Sequence, residues 1–147
     1  MPIQIPDEYG YVLAVASSGF FVNMFHMQLT GMHRKKSGLK HPISYATEEQ
    51  AAKDNNAFRF NCAQRAHANF IENQPTFLSL LAVSGLRYPV AAAALGATWM
   101  FGRVAYGMGY ASSRGPQGRV FGFLVAMLAQ MVLGGMAGYT SYKYIVG

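Results

Sequence analysis

Charge is scarce in this chain. Only 12% of its 147 residues are Asp, Glu, Lys or Arg, about half of what a water-soluble domain usually carries. Cysteine is scarcer still. Cys62 stands alone, which excludes a disulfide framework and any paired-thiol metal or redox site within one chain. The histidines, His26, His33, His41 and His67, offer one weak pair seven residues apart, so no metal site is expected. Repeats and low-complexity tracts are missing as well. Disorder is excluded by the low charge together with a 14% aromatic content.

What the chain has instead is long stretches without charge. Lys, Arg, Asp and Glu are absent from Tyr9 through His33, and again from Val120 through Tyr142. Each gap is longer than the ~18 residues that point to a transmembrane helix. Two further apolar blocks carry one charge each: Glu72 between Ala66 and Leu86, and Arg103 between Tyr88 and Ser113. A soluble bundle needs a polar face on every helix, and Tyr11 to Leu29 and Phe121 to Tyr139 have too little polarity for one. The pattern predicts an all-α, integral membrane four-helix bundle forming a single domain over 1–147. Spans are expected at about 9–32, 62–87, 89–112 and 119–145, with a long loop at about 33–60.

The net charge of +6 raises the question of nucleic acid, but the cations sit where membrane topology puts them. Arg34, Lys35, Lys36, Lys40, Lys53, Arg59 and Arg65 lie between the first two spans, and Arg114 and Arg119 between the last two. Both basic loops are therefore expected to face the cytosol. The acidic N-terminal flank, Asp7 and Glu8, does not fit a cleavable signal. Gly118/Gly122 and Gly134/Gly138 have the spacing of close helix contacts.

Polar residues inside apolar blocks are the informative ones, because a charge near the centre of a span costs about 2.5–3.5 kcal/mol on insertion scales unless it meets a partner or water. Asn61, Arg65, Asn69 and Glu72 fall on one stripe of a helix, with His67 off it. Arg103, Tyr106 and Tyr110 share a face of the next span, and Gly102, Gly107 and Gly109 beside them allow close approach of backbone or ligand. Such an inventory suits a small zwitterion with two carboxylates and one amine. Blander readings are available for each group. Arg65 and Glu72 also read as a structural ion pair, Arg103 as a packing or snorkelling residue, and the tyrosines as an interfacial belt.

At these residues a family becomes recognisable. Phe60-Asn61-Cys62-Ala63-Gln64-Arg65-Ala66-His67-Ala68-Asn69, with Glu72 and Pro75, resembles the second-helix signature of the membrane-associated proteins in eicosanoid and glutathione metabolism. Glu8-Tyr9-Gly10-Tyr11-Val12, Arg34-Lys35-Lys36 with Pro42, and Gly102-Arg103-Val104 through Gly109-Tyr110 are further points of similarity. The branch it resembles most is that of the type-3 microsomal glutathione transferases. The resemblance implies a homotrimer in endoplasmic reticulum membrane, with glutathione as co-substrate bound between subunits near the cytosolic side. The glutathione contacts it implies are Arg34, Arg65, His67, Asn69, Glu72, Tyr106 and Tyr110, some of them from a neighbouring subunit. The thiolate-stabilising arginine maps onto Arg119, nine residues after the second tyrosine, with Arg114 as the alternative. The leukotriene-forming branch has a tyrosine one position after the glutamate. Asn73 stands there in this chain, which argues against leukotriene synthesis.

The implied activity is transfer of glutathione to lipophilic electrophiles, or reduction of lipid hydroperoxides, with the second substrate arriving from the bilayer. Arg119 forms the thiolate, the other polar residues hold the tripeptide, and Arg103 supports the tyrosines. A non-catalytic, lipid-binding scaffold of the same family, of the lipoxygenase-activating type, is the alternative. A channel or proton path is disfavoured, because the polar residues cluster toward one side.

Overall fold

The computed structural model describes residues 4–147. Four long helices alternate in direction: α1 (Tyr9–Ser37), α3 (Asn55–Gly85), α4 (Pro89–Tyr110) and α5 (Val120–Val146), with the short α2 (Glu48–Lys53) in the first connection. A single 3₁₀ turn, Gly115–Gln117, lies in the last. Among the described residues there is no strand. Helix ends follow local chemistry. Gly38 takes a left-handed φ of 70° and closes α1 with its N–H on Lys35 O. Thr47 and Gln50 form a reciprocal capping box on α2. The Asp54 side chain accepts from Asn56 N to start α3, and Pro89 opens α4.

The connection expected as loop over 33–60 is therefore partly helical. The first long helix continues to Ser37 and α3 begins at Asn55, because the caps lie outside the apolar stretches from which the spans were read. α1 and α5 flank α3 and α4, which pack against each other and against both. The core is aromatic. Phe77 stacks on Trp99 at 3.9 Å between centroids, Phe70 packs beside Trp99, and Leu81 and Leu133 close the layer.

α1 and the stretch Gly115–Val146 are long and apolar enough to cross a membrane, and only 22% and 28% of their apolar windows are buried inside the chain. Phe20, Phe21, Leu128 and Met131 are each about 60% or more exposed apart from Leu128 at 58%. This apolar surface requires lipid or further protein to cover it.

Candidate functional site

Arg65 and Glu72, two turns apart on α3, pair at 3.0 Å. Both side chains are about half exposed (49% and 52%), so the pair contributes little to stability, about 1 kcal/mol at most. Each keeps donor or acceptor capacity for something else. Asn61, on the same stripe, is engaged by the chain itself. Its Oδ1 accepts from Ala46 N–H at 2.7 Å and its Nδ2 donates to Ala46 O at 2.9 Å.

From α4, Arg103 is buried and donates through Nη2 to Asn69 Oδ1 at 2.6 Å. Its guanidinium lies 5.3 Å from the Trp99 ring and 5.0 Å from the Tyr106 ring, while its Nε has no partner among the described residues. A buried cation is strongly destabilising when unpaired. Here an amide oxygen and two ring faces compensate, and Arg103 braces Tyr106 from behind. Tyr106 in turn meets Tyr110 edge to face at 5.6 Å.

Arg119, at the start of α5, reaches both tyrosines. Its Nη1 donates to Tyr106 Oη at 3.4 Å, and its guanidinium lies 5.2 Å from the Tyr110 ring. The placement comes from backbone packing. Gly109 and Gly118 touch so closely that a Cβ on either would overlap the other's carbonyl. One turn deeper, a Cβ on Gly122 would strike the Tyr106 backbone, and about two turns deeper one on Gly102 would stand 2.7 Å from Ala126 N. The glycine contacts anticipated for Gly118/Gly122 thus lie inside one chain, whereas Gly138 faces open space. Because Gly109 precedes Tyr110 and Gly118 precedes Arg119, their contact sets the arginine beside the tyrosine. Arg114 is exposed in the turn and makes no side-chain hydrogen bond or ring contact among the described residues.

Arg65 and Tyr110 line one open cleft of about 510 Å³. Asn69 and Arg103 line a second pocket of about 390 Å³, whose other walls include Asn73, Trp99, Gln130 and Met131. Two of the expected residues lie elsewhere. His67 follows Arg65 by two positions, about 200° further round the helix, and its Nε2 meets Asn23 Oδ1 on α1 at 2.9 Å. Arg34 donates to Ile43 O at 2.6 Å and lies over the Phe60 ring at 4.6 Å. Within one chain, Arg34 and His67 belong to the α1–α3 face, and Arg65, Glu72, Tyr106, Tyr110 and Arg119 to the other side.

Several polar contributors escape a reading by charge. Trp99 Nε1 donates to Gln130 Oε1 at 2.8 Å, Asn23 holds His67, and His26 is fully buried with neither ring nitrogen partnered among the described residues. The available signal was an indole and two amides inside charge-free stretches, since such groups seek hydrogen-bond partners when buried.

A family model described as MAPEG family matches residues 12–139. The chain belongs to the MAPEG family. The match runs from the first turns of α1 to Tyr139 in α5 and takes in every candidate residue from Arg34 to Arg119. The MAPEG family includes glutathione transferases and peroxidases, and membership points to a role related to glutathione or to lipid metabolism. With two helices apolar enough to span, it is a MAPEG membrane protein.

Proposed function

We propose that this MAPEG chain is a glutathione transferase with glutathione peroxidase capacity, of the type-3 microsomal branch, in the endoplasmic reticulum membrane. The observation that carries the reading is the convergence of Arg119 on Tyr106 and Tyr110, beside a cleft lined by Arg65. Glutathione brings two carboxylates, one ammonium and one thiol. Arg34 and Arg65 are suited to the carboxylates, Glu72 to the ammonium, and Asn69, His67 and the tyrosines to its remaining polar groups. Arg119 is the catalytic residue. Its guanidinium stabilises the thiolate, since the thiolate and not the thiol is the nucleophile.

In conjugation, the thiolate sulfur bonds to the electrophilic carbon, and the displaced electron pair leaves with the departing group or takes up a proton. In peroxide reduction, the thiolate attacks the outer hydroperoxide oxygen, the O–O bond breaks to leave a sulfenic acid on the glutathione sulfur, and the departing alkoxide takes a proton from water to become the alcohol. A second glutathione then takes the oxidised sulfur to the disulfide with loss of water. Leukotriene synthesis stays outside this reading, with Asn73 beside Glu72.

All four long helices are spans in this proposal, with the basic loops in the cytosol. Glu72 and Arg103 turn to Arg65 and Asn69, which lets α3 and α4 carry charge through a bilayer. The separation of Arg34 and His67 from Arg65 and Arg119 supports a homotrimer. Each chain offers two half-sites on opposite sides of α3, and a neighbouring copy would complete each.

The test uses the full chain in lipid nanodiscs. Calorimetry should detect glutathione binding, and turnover should follow with lipophilic electrophiles or lipid hydroperoxides. Fatty acid binding with neither glutathione binding nor turnover would establish the non-catalytic scaffold instead.

A further inference from the structure

Arg87 and Lys143 lie outside both basic loops, at the end of the bundle away from Arg119. Lys143 follows Arg119 by 24 residues along α5, about 36 Å at 1.5 Å per residue, which exceeds the ~30 Å of a hydrocarbon core. Cations on that side run against the positive-inside bias. Neither finds an anion in the chain, since the ion pairs among the described residues are Lys53–Glu49 and Arg65–Glu72. One ring brings them together. Although 56 residues apart in sequence, the Arg87 guanidinium and the Lys143 ammonium lie 6.0 and 5.8 Å from the Tyr139 centroid. Tyr88 stacks on the same ring at 6.5 Å, and its Oη accepts from Arg87 Nε at 3.2 Å. That bond holds the guanidinium at the α3–α4 turn. Its two Nη groups, the fork that matches a phosphate, have no hydrogen-bond partner among the described residues.

The same ring heads an apolar track. Leu128, Val132, Gly135 and Tyr139 follow at intervals of four, three and four residues, which sets them on one stripe of α5. All four are exposed, and a Cβ on Gly135 would meet nothing within 4 Å. The stripe runs about 16 Å from Tyr139 toward the middle of the helix, a shallow apolar path along which an acyl chain can lie. We propose that this end of the bundle holds a glycerophospholipid of net negative charge, in the leaflet opposite the glutathione site. Arg87 forks its phosphate, Lys143 takes a second anionic group such as the carboxylate of phosphatidylserine, and one acyl chain follows the stripe down α5. A free headgroup would engage the cations and leave the stripe bare, so the continuity of the two favours the intact lipid. The inference rests on all four long helices being spans and is independent of glutathione chemistry.

The test places the full chain in phosphatidylcholine nanodiscs doped with phosphatidylserine that carries a diazirine on its acyl chain, and maps the peptides labelled on illumination. The α5 peptide holding Leu128 to Tyr139 should be labelled at least about fivefold more than by the matching phosphatidylcholine probe. Arg87→Gln and Lys143→Gln should each cut that label by about fivefold. Arg87→Lys, which keeps the charge without the fork, should lose less than Arg87→Gln. Lys40→Gln removes an exposed cation from a basic loop and should leave the label on α5 unchanged. Equal labelling by the two probes overturns the proposal, and that comparison needs no variant to fold. Label unmoved in both glutamine variants overturns it too. So does full displacement by soluble glycerophosphoserine, which would reduce the cluster to a headgroup site with no role for the stripe.

Discussion

Replacing Arg119 by Ala tests the chemistry most directly, because the expected effect follows from a charge and a distance. A free thiol with a pKa near 8.5 is only about 3% thiolate at pH 7. A guanidinium about 4 Å away stabilises an anion by about 4 kcal/mol at an effective dielectric of about 20. Arg119 is exposed at the surface of the chain, and solvent screening reduces that figure to about 1–2 kcal/mol. One pKa unit corresponds to about 1.4 kcal/mol, so the bound thiol should titrate near pH 7.5, with about a quarter ionised at neutrality. The sign is fixed: a nearby cation favours the charged form, so its removal raises the thiol pKa. Arg119→Ala should therefore move the midpoint of the thiolate ultraviolet absorbance up by about one unit and cut the signal at pH 7 by about eightfold. Glutathione affinity at saturating pH should change little, because the carboxylate and ammonium partners remain. Arg114→Ala is the control and should leave the midpoint in place. A thiolate titration unchanged in Arg119→Ala, with glutathione still bound, refutes the assignment.

Three further outcomes are expected. Glu72→Ala removes the carboxylate assigned to the ligand's ammonium and should weaken glutathione binding by about tenfold or more, the worth of a hydrogen bond to a charged group. Calorimetry showing unchanged affinity would return Arg65 and Glu72 to a purely structural ion pair. Gly122→Leu forces atoms into the Tyr106 backbone and should destabilise the bundle by about 3 kcal/mol or more, beyond ordinary overpacking. Gly138→Leu, at a position facing open space, should keep the thermal midpoint measured in the same detergent. Asn61→Leu removes both bonds to Ala46. Hydrogen exchange at the Ala46 amide should accelerate by about tenfold or more as that segment loosens. Protection equal to that of the unaltered chain would show that the clamp is redundant.

The long helices were legible because a run without charge is a one-dimensional property, and the gaps from Tyr9 and from Val120 coincide with α1 and α5. The Arg65–Glu72 stripe was legible for a similar reason, since both residues sit on one helix and helical geometry alone fixes their relation. Contacts between elements were not. That Asn61 faces Ala46 and not a ligand depends on how the α1–α3 connection folds back. That His67 meets Asn23 depends on which neighbour covers that side of α3. The choice between Arg119 and Arg114 depends on the α4–α5 contact, and residue spacing carries no information about that. The start of α3 at Asn55 was hidden because Asn55, Asn56, Arg59 and Asn61 break up the apolar pattern of its first two turns.

The touch between Gly109 and Gly118 makes counting along the chain the wrong ruler for locating the arginine proposed to activate the thiol. Whatever length joins the two glycines, the residue after one lies beside the residue after the other, much as a clasp brings the same two beads together on any necklace. Insertions near Ser113 should therefore lengthen the turn and leave the guanidinium where it is. The chemistry at this end of the bundle is indexed by bare backbone, and the intervening residues are free to vary.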